Sequence, residues 1–255
     1  MASSLLIDGA SAPADSPQST LAGAREALGE SWFETIRVTG GEPELLEEHL
    51  QRLAASTEFD RDALISDIQR GIDEVGGGDV FVRLMAGPAG RIVATGPLPP
   101  HADDPAPAKV TMADIPDYAY PAKSTDFQLQ LGLLDQAAAD GFDDVLITDG
   151  GFVIEAARAN LLLIDGDTLR TPPLGRCLPG VIRAALVELA PRAGLRVSEE
   201  PVRVNHVLAA DEVLITNSII RARMVSEVDG VPVGGRAREA VESLRVELAA
   251  KIQAA

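Results

Sequence analysis

Lys123, Glu155, the stretch Leu178-Pro179-Gly180-Val181-Ile182-Arg183 and the triplet Thr216-Asn217-Ser218 are the residues whose types and spacing could carry chemistry. Only three lysines occur in the 255 residues, Lys109, Lys123 and Lys251; the other nineteen of twenty-two basic residues are arginine. Either residue serves as a surface cation. Chemistry that needs a primary amine excludes arginine, because a guanidinium stays protonated and cannot form a Schiff base. Glu155 stands at the end of an otherwise apolar hairpin strand, Gly180 opens a helix, and Thr216-Asn217-Ser218 directly follows the buried-looking strand Val213-Leu214-Ile215.

Pyridoxal phosphate would use all four features. Its aldehyde needs an amine, and its pyridine nitrogen needs an anion to stay protonated and withdraw electrons. Its phosphate needs backbone N–H groups at a helix N-terminus and hydroxyl donors. Each feature also has a plainer reading: a solvated lysine, an exposed strand-end glutamate, an ordinary helix start, a strand-end turn. Taken singly, the plainer reading is favoured, and only the four together point to a cofactor.

The elements that must position these residues follow from hydrophobic periodicity and turn signals. A short strand is expected at Leu5–Ile7, with much of 10–22 as loop. Strand 32–38 closes on the turn Thr39-Gly40-Gly41. Pro43 is expected to open a helix carrying Leu45, Leu46, His49, Leu50 and Leu53 on one face, and a second helix is expected over 60–75. Strands at 79–86 and 90–95 follow, and the proline-rich stretch 97–107 reads as a linker. The second half reads as a strand at 108–112, a helix over 128–140 and the hairpin 145–148/152–154. Strand segments come next at 161–164 and around Leu169, then a helix from Gly180. Strands at 195–204 and 212–217 flank a short helix near 205–210, and an amphipathic helix covers 235–252. Hairpins followed by helices in each half suggest two α+β domains, a small N-terminal α/β domain over 1–114 and a larger domain over 115–255 carrying the cofactor lysine.

Composition excludes several classes. The formal net charge of −17 argues against nucleic-acid binding, which needs a basic face. Cys177 is the only cysteine, and His49, His101 and His206 lie far apart, so neither a disulfide within the chain nor a zinc site is expected. The N-terminal residues show no basic region leading into a long apolar run, and no run approaches the ~20 residues of a membrane span. A cytoplasmic protein is expected.

The chain resembles the class IV aminotransferases, the fold-type IV pyridoxal-phosphate enzymes that include branched-chain and D-amino-acid aminotransferases and aminodeoxychorismate lyase. The resemblance covers about residues 32 to 230. It rests on Phe33-Glu34-Thr35-Ile36-Arg37-Val38, Glu48-His49-Leu50-Gln51-Arg52-Leu53, Lys123, and Val153-Ile154-Glu155 through Ala159-Asn160-Leu161. It continues through Thr171-Pro172-Pro173-Leu174, Leu178-Pro179-Gly180-Val181 and Ala210-Asp211-Glu212-Val213. Most blocks are weak singly; as an ordered set they are strong. The resemblance implies a two-domain α+β fold like that of D-amino-acid aminotransferase, and a homodimer. It implies that Lys123 holds pyridoxal 5'-phosphate as an aldimine and then shuttles a proton, and that Glu155 pairs with the pyridinium. Arg52, the backbone of Val181 and Ile182, Asn217 and Ser218 would bind the phosphate, and Leu178 would pack against the ring. Thr35, Arg37 and Arg83 would face the substrate, with Arg83 meeting its carboxylate. The chain departs from the family pattern at Gly29-Glu30-Ser31-Trp32, at Phe127 and at Met224-Val225.

Three functions fit. The leading one is an aminotransferase exchanging an amino group between small amino and keto acids. The second is 4-amino-4-deoxychorismate lyase, which releases pyruvate and 4-aminobenzoate, and which the Phe33-Glu34-Thr35 and Thr216-Asn217-Ser218 blocks resemble. The third is a noncatalytic relative that keeps the fold as a binding protein.

Overall fold

The computed structural model describes residues 4–12, 17–100, 102–103 and 105–254, so His101 lies outside the described residues. The chain forms two compact units. The first comprises 1–102 with 122–126; the second comprises 103–121 with 127–255. Lys123 therefore groups with the N-terminal unit, where the sequence suggested the C-terminal one. The Phe33 N–H donates to the Lys123 carbonyl (2.8 Å) and the Thr125 N–H to the Ser31 carbonyl (2.9 Å), which ties 122–126 to a strand edge.

The first unit contains strands β1 (Ser4–Ile7) and β2 (Ala10–Ser11), helix α1 (Leu21–Leu28), strands β3 (Trp32–Thr39) and β4 (Glu42–Pro43), helices α2 (Leu46–Ala54) and α3 (Arg61–Glu74), and strands β5 (Val80–Gly87) and β6 (Gly90–Pro97). Among the described residues these strands form one sheet in the order β2-β1-β6-β5-β3-β4, with every pairing antiparallel. Strand alternation sends Ile36, Val38, Val82 and Leu84 into a core with Leu50, Leu53, Leu64 and Ile68 of α2 and α3. The opposite face carries Phe33, Met85 and Ile92 against Ala24 and Leu28 of α1.

Three local expectations need correcting here. Pro43 does not open a helix; it pairs with Val38 in the edge strand β4. Gly40 and Gly41, at φ 60° and 90°, make the tight hairpin turn, and an edge position asks no N–H of proline. Helix α2 starts at Leu46, after Leu45 in the left-handed region. Helix α1, in a stretch bordering the expected loop, is capped by Thr20, whose hydroxyl accepts from the Gly23 N–H.

The second unit contains β7 (Ala108–Asp114), α4 (Gln128–Ala139), β8 (Asp144–Asp149), β9 (Phe152–Ala156), β10 (Asn160–Asp165), β11 (Thr168–Thr171), α5 (Val181–Leu189), β12 (Arg196–Glu199), β13 (Val202–Arg203), α6 (Val204–Ala209), β14 (Glu212–Asn217), β15 (Arg221–Val228), β16 (Val231–Pro232) and α7 (Arg238–Ala254). Their described strands form one mixed sheet, ordered β12-β11-β10-β14-β15-β7-β8-β9-β13, with β16 on β15. The strand expected over 195–204 is two strands, split at Glu200-Pro201: β12 runs parallel to β11 and β13 antiparallel to β9. Strand β15 was not expected; Arg221 and Arg223 disguise a stretch that pairs with β14 and β7. The last helix starts at Arg238 rather than 235, because Gly234 and Gly235 adopt φ 69° and 83°, outside the helical region. No described helix is long and apolar enough to cross a membrane.

Candidate active site

In the first unit, β3 and β5 place Thr35 directly opposite Arg83. Alternation puts Phe33 on the same face, and that ring is flanked by two cations. The Lys123 ammonium lies 4.5 Å from its centroid and the Arg83 guanidinium carbon 5.1 Å, both within cation–π range. The structure thus brings Lys123, Arg83 and Thr35 together. Arg37 shares that face but is 1% exposed. Its guanidinium donates to the Ala102 carbonyl at 3.1 Å and lies 3.5 Å from Glu44.

Arg52 faces the other way, toward Glu34. Its Nε donates to Glu34 Oε1 at 2.7 Å and its Nη2 to Oε2 at 2.5 Å, a two-toothed clamp. His49 Nδ1 lies 2.7 Å from the same Oε2. Burial pushes the Glu34 carboxyl up, but hydrogen bonds from Arg52 and His49 outweigh it and hold the group down at about 2. Burial also pushes the His49 imidazole below its ordinary value, against the pull of Glu34 and with help from the charges of Arg52 and Lys123. His49 is therefore neutral at pH 7 and its Nδ1–H donates.

These shifts set an acid dependence. The Glu34 carboxyl is depressed from 4.5 to about 2, so its contribution to stability is present above pH 4.5 and is lost as pH falls through about 2. His49 adds a loss in the same direction below 6.5, because the unfolded chain then takes a proton that the fold refuses. Glu34→Gln is expected to destabilise the fold by about 2–3 kcal/mol at pH 7. Melting curves should show the wild type and this variant converging as pH drops from 4.5 to 2.

In the second unit, Glu155 is the penultimate residue of β9 and is 3% exposed. The Tyr118 hydroxyl donates to its Oε1 at 2.8 Å and the Leu178 N–H to its Oε2 at 2.9 Å, with Asn160 Nδ2 at 3.4 Å. Gln130 Nε2 donates in turn to the Tyr118 oxygen at 3.1 Å. Burial pushes the Tyr118 phenol far up, and the Glu155 charge adds to it. Burial likewise raises the Cys177 thiol to about 11, again with Glu155 contributing. Asn160 also donates to the Leu178 carbonyl at 2.8 Å, so it fixes both the carboxylate and the turn that leads into α5.

Helix α5 begins at Val181, with Gly180 as its cap residue; no side chain caps its first turn and no acidic residue stands in it. Gly180 is required for space rather than for backbone freedom, since a Cβ there would overlap Asn160 Oδ1. Gly180→Ala is expected to destabilise the chain by about 1–3 kcal/mol, read as a lowered Tm, because the Asn160 amide must move. Thr216 pairs with Asn160 on the neighbouring strand; it is 1% exposed and its hydroxyl has no hydrogen-bond partner among the described residues. The Asn217 side chain holds its own turn, accepting from the Ile219 and Ile220 N–H groups at 3.0 and 3.1 Å and donating to the Arg158 carbonyl. Ser218 follows it in the same turn.

Glu155, Leu178 and the start of α5 at Val181 and Ile182 are thus joined through Asn160, with Thr216 beside it. Sequence reasoning missed Glu34, His49, Tyr118, Gln130 and Asn160 as site residues. Glu34 had a signal, a carboxylate in phase with the apolar Ile36 and Val38. His49 had another, lying one helical turn before Arg52. Tyr118, Gln130 and Asn160 had none that periodicity reveals, whereas Thr216 was marked in the sequence as a polar residue following an apolar strand.

Residues 31–228 match the family described as amino-transferase class IV, and the chain belongs to that family, whose members are pyridoxal-phosphate enzymes. Among its relatives is a "Putative branched-chain-amino-acid aminotransferase" of Methanocaldococcus jannaschii. It is 29% identical over 233 residues, which are 79% of this chain and 80% of that protein. The match to the branched-chain-amino-acid aminotransferase of Pseudomonas aeruginosa, 30% identical, is shorter and spans 44% of this chain and 37% of that protein. Among solved structures, the branched-chain amino acid aminotransferase of T.th. with pyridoxamine 5'-phosphate has a TM-score of 0.85 at 22% identity, covering 99% of this chain and 95% of that one. A "Putative 4-amino-4-deoxychorismate lyase" of Legionella pneumophila has a TM-score of 0.78 at 24% identity, covering 88% and 92%. At such identities the likeness is one of fold.

The residues present fit the family's cofactor. A helix N-terminus with no side-chain cap, near a buried hydroxyl that has no partner among the described residues, suits a phosphate, and a carboxylate buried among hydrogen-bond donors suits a protonated ring nitrogen.

Proposed function

We propose that this chain is an aminotransferase that takes pyridoxal phosphate on Lys123 and exchanges an amino group between small amino and keto acids. When bound, the cofactor supplies an aldehyde for the amine and a ring that draws electrons from the substrate's α-carbon. Lys123 supplies the primary amine and, once released, a base that holds or moves a proton at Nζ. Glu155 keeps the ring nitrogen protonated. Arg52, the N–H groups of Val181 and Ile182, Asn217 and Ser218 hold the phosphate, and Leu178 packs on the ring. Arg83, with Thr35 beside it and Arg37 behind, receives the substrate carboxylate.

One observation supports this reading: Lys123 and Arg83 flank the same Phe33 ring, so a primary amine and a guanidinium lie close together, as an amine for the cofactor and a site for a substrate carboxylate would have to. The M. jannaschii relative's name makes branched-chain amino acids the first donors to try. The test is a screen of amino acids against holoprotein, following the cofactor's visible absorbance and the keto acid released. Loss of absorbance with a stoichiometric keto acid supports transamination. Formation of pyruvate and 4-aminobenzoate from aminodeoxychorismate, with no response to amino acids, would replace it with the lyase reading that the Phe33-Glu34-Thr35 and Thr216-Asn217-Ser218 blocks suggest. No turnover with any donor would leave the noncatalytic reading, with the chain acting as a binding protein.

A further inference from the structure

Glu34, His49 and Arg52 form a line of polar groups running out of the core of the first unit. The Glu34 and His49 side chains are each 1% exposed, and only Arg52, at 12%, reaches solvent. A buried carboxylate–guanidinium pair is a poor source of stability, since desolvation offsets much of its attraction and apolar residues of similar size do as well. Its use lies in geometry. Glu34 accepts from both Nε and Nη2, which fixes the plane of the guanidinium and the rotamer of a side chain that is otherwise flexible. His49, one turn before Arg52 on α2, donates to the same carboxylate and so fixes Glu34 in turn.

We infer that Glu34, itself held by His49, is a positioning residue that sets the orientation in which Arg52 meets the cofactor's phosphate. This rests on the reading that Arg52 binds that phosphate. Two physical accounts of Glu34 make opposite predictions. If Glu34 only offsets the charge of Arg52, removing its charge strengthens the attraction for a phosphate dianion. If Glu34 orients Arg52, Glu34→Gln weakens phosphate binding. A glutamine has one carbonyl to offer three donors, from Arg52 Nε, Arg52 Nη2 and His49 Nδ1, and its amide N–H groups oppose them.

The experiment strips the protein of cofactor and titrates it with pyridoxal phosphate and with pyridoxal, which lacks the phosphate. The ratio of the two affinities isolates the phosphate contribution. Wild type is expected to prefer pyridoxal phosphate strongly, and Arg52→Ala to lose most of that preference. Glu34→Gln is expected to lose about ten- to a hundredfold of the preference with pyridoxal affinity unchanged, and Glu34→Asp to recover part of it. Unchanged pyridoxal binding also shows that the variant is folded. Three results would overturn the inference: a wild-type preference in Glu34→Gln, a stronger one, or equal losses for both ligands, as a merely structural role gives. A wild type without preference, or an Arg52→Ala variant that keeps it, overturns the Arg52 assignment and this inference with it. Normal behaviour of both, with Glu34→Gln indifferent, overturns this inference alone.

Discussion

Lys123→Arg should reduce amino-group exchange at least about a thousandfold while leaving the melting temperature close to that of wild type. The substitution keeps the cation over the Phe33 ring, where the ammonium sits 4.5 Å from the centroid, and arginine makes that contact at least as well. The backbone link from Phe33 N–H to the residue 123 carbonyl is indifferent to the side chain. Only the chemistry changes, because a guanidinium has no accessible neutral form with which to attack an aldehyde or carry a proton. The measurement is kcat/KM with the best donor beside a thermal melt. A Lys123→Arg variant retaining a tenth of wild-type activity would show that the amine is not the reactive group.

Glu155→Gln should lower kcat by about a hundred- to a thousandfold with a much smaller effect on cofactor retention. The carboxylate at this position accepts from the Tyr118 hydroxyl and the Leu178 N–H. In the proposed role its charge keeps the ring nitrogen protonated, which glutamine, being neutral, does not do. The amide also turns an NH2 toward donors, at about 1–3 kcal/mol of stability, so the kinetics must be read well below the melting temperature. Tyr118→Phe controls for that packing change: it removes one donor to Glu155 but keeps its charge, and kcat should fall far less. Equal losses in the two variants would mean that the hydrogen-bond network, and not the charge, matters.

The fold was legible where side chains alternate without conflict. Strand 32–38 and helix 60–75 had clear periodicity and clear ends, and the structure shows Trp32–Thr39 and Arg61–Glu74. It was illegible where a local signal competed with tertiary pairing. Pro43 reads as a helix start, but the Gly40-Gly41 turn folds it back on Val38 as an edge strand. Strand β15 carries Arg221 and Arg223 and is stabilised by neighbours from distant parts of the chain, β14 and β7, which no local window reveals. The same division holds for the site. Lys123 stood out because lysine is scarce, and Glu155 because it ends an apolar strand. Tyr118 and Gln130, which support Glu155, are 37 and 25 residues before it, and only the fold brings them together.

The most direct measurement exploits the lysine scarcity. The purified chain is incubated with pyridoxal phosphate, reduced with borohydride, digested and mapped for the label. The account predicts one labelled peptide, containing Lys123, and no label in Lys123→Arg. Label on Lys109 or Lys251 with Lys123 unmodified, or no label on any of the three, would contradict it.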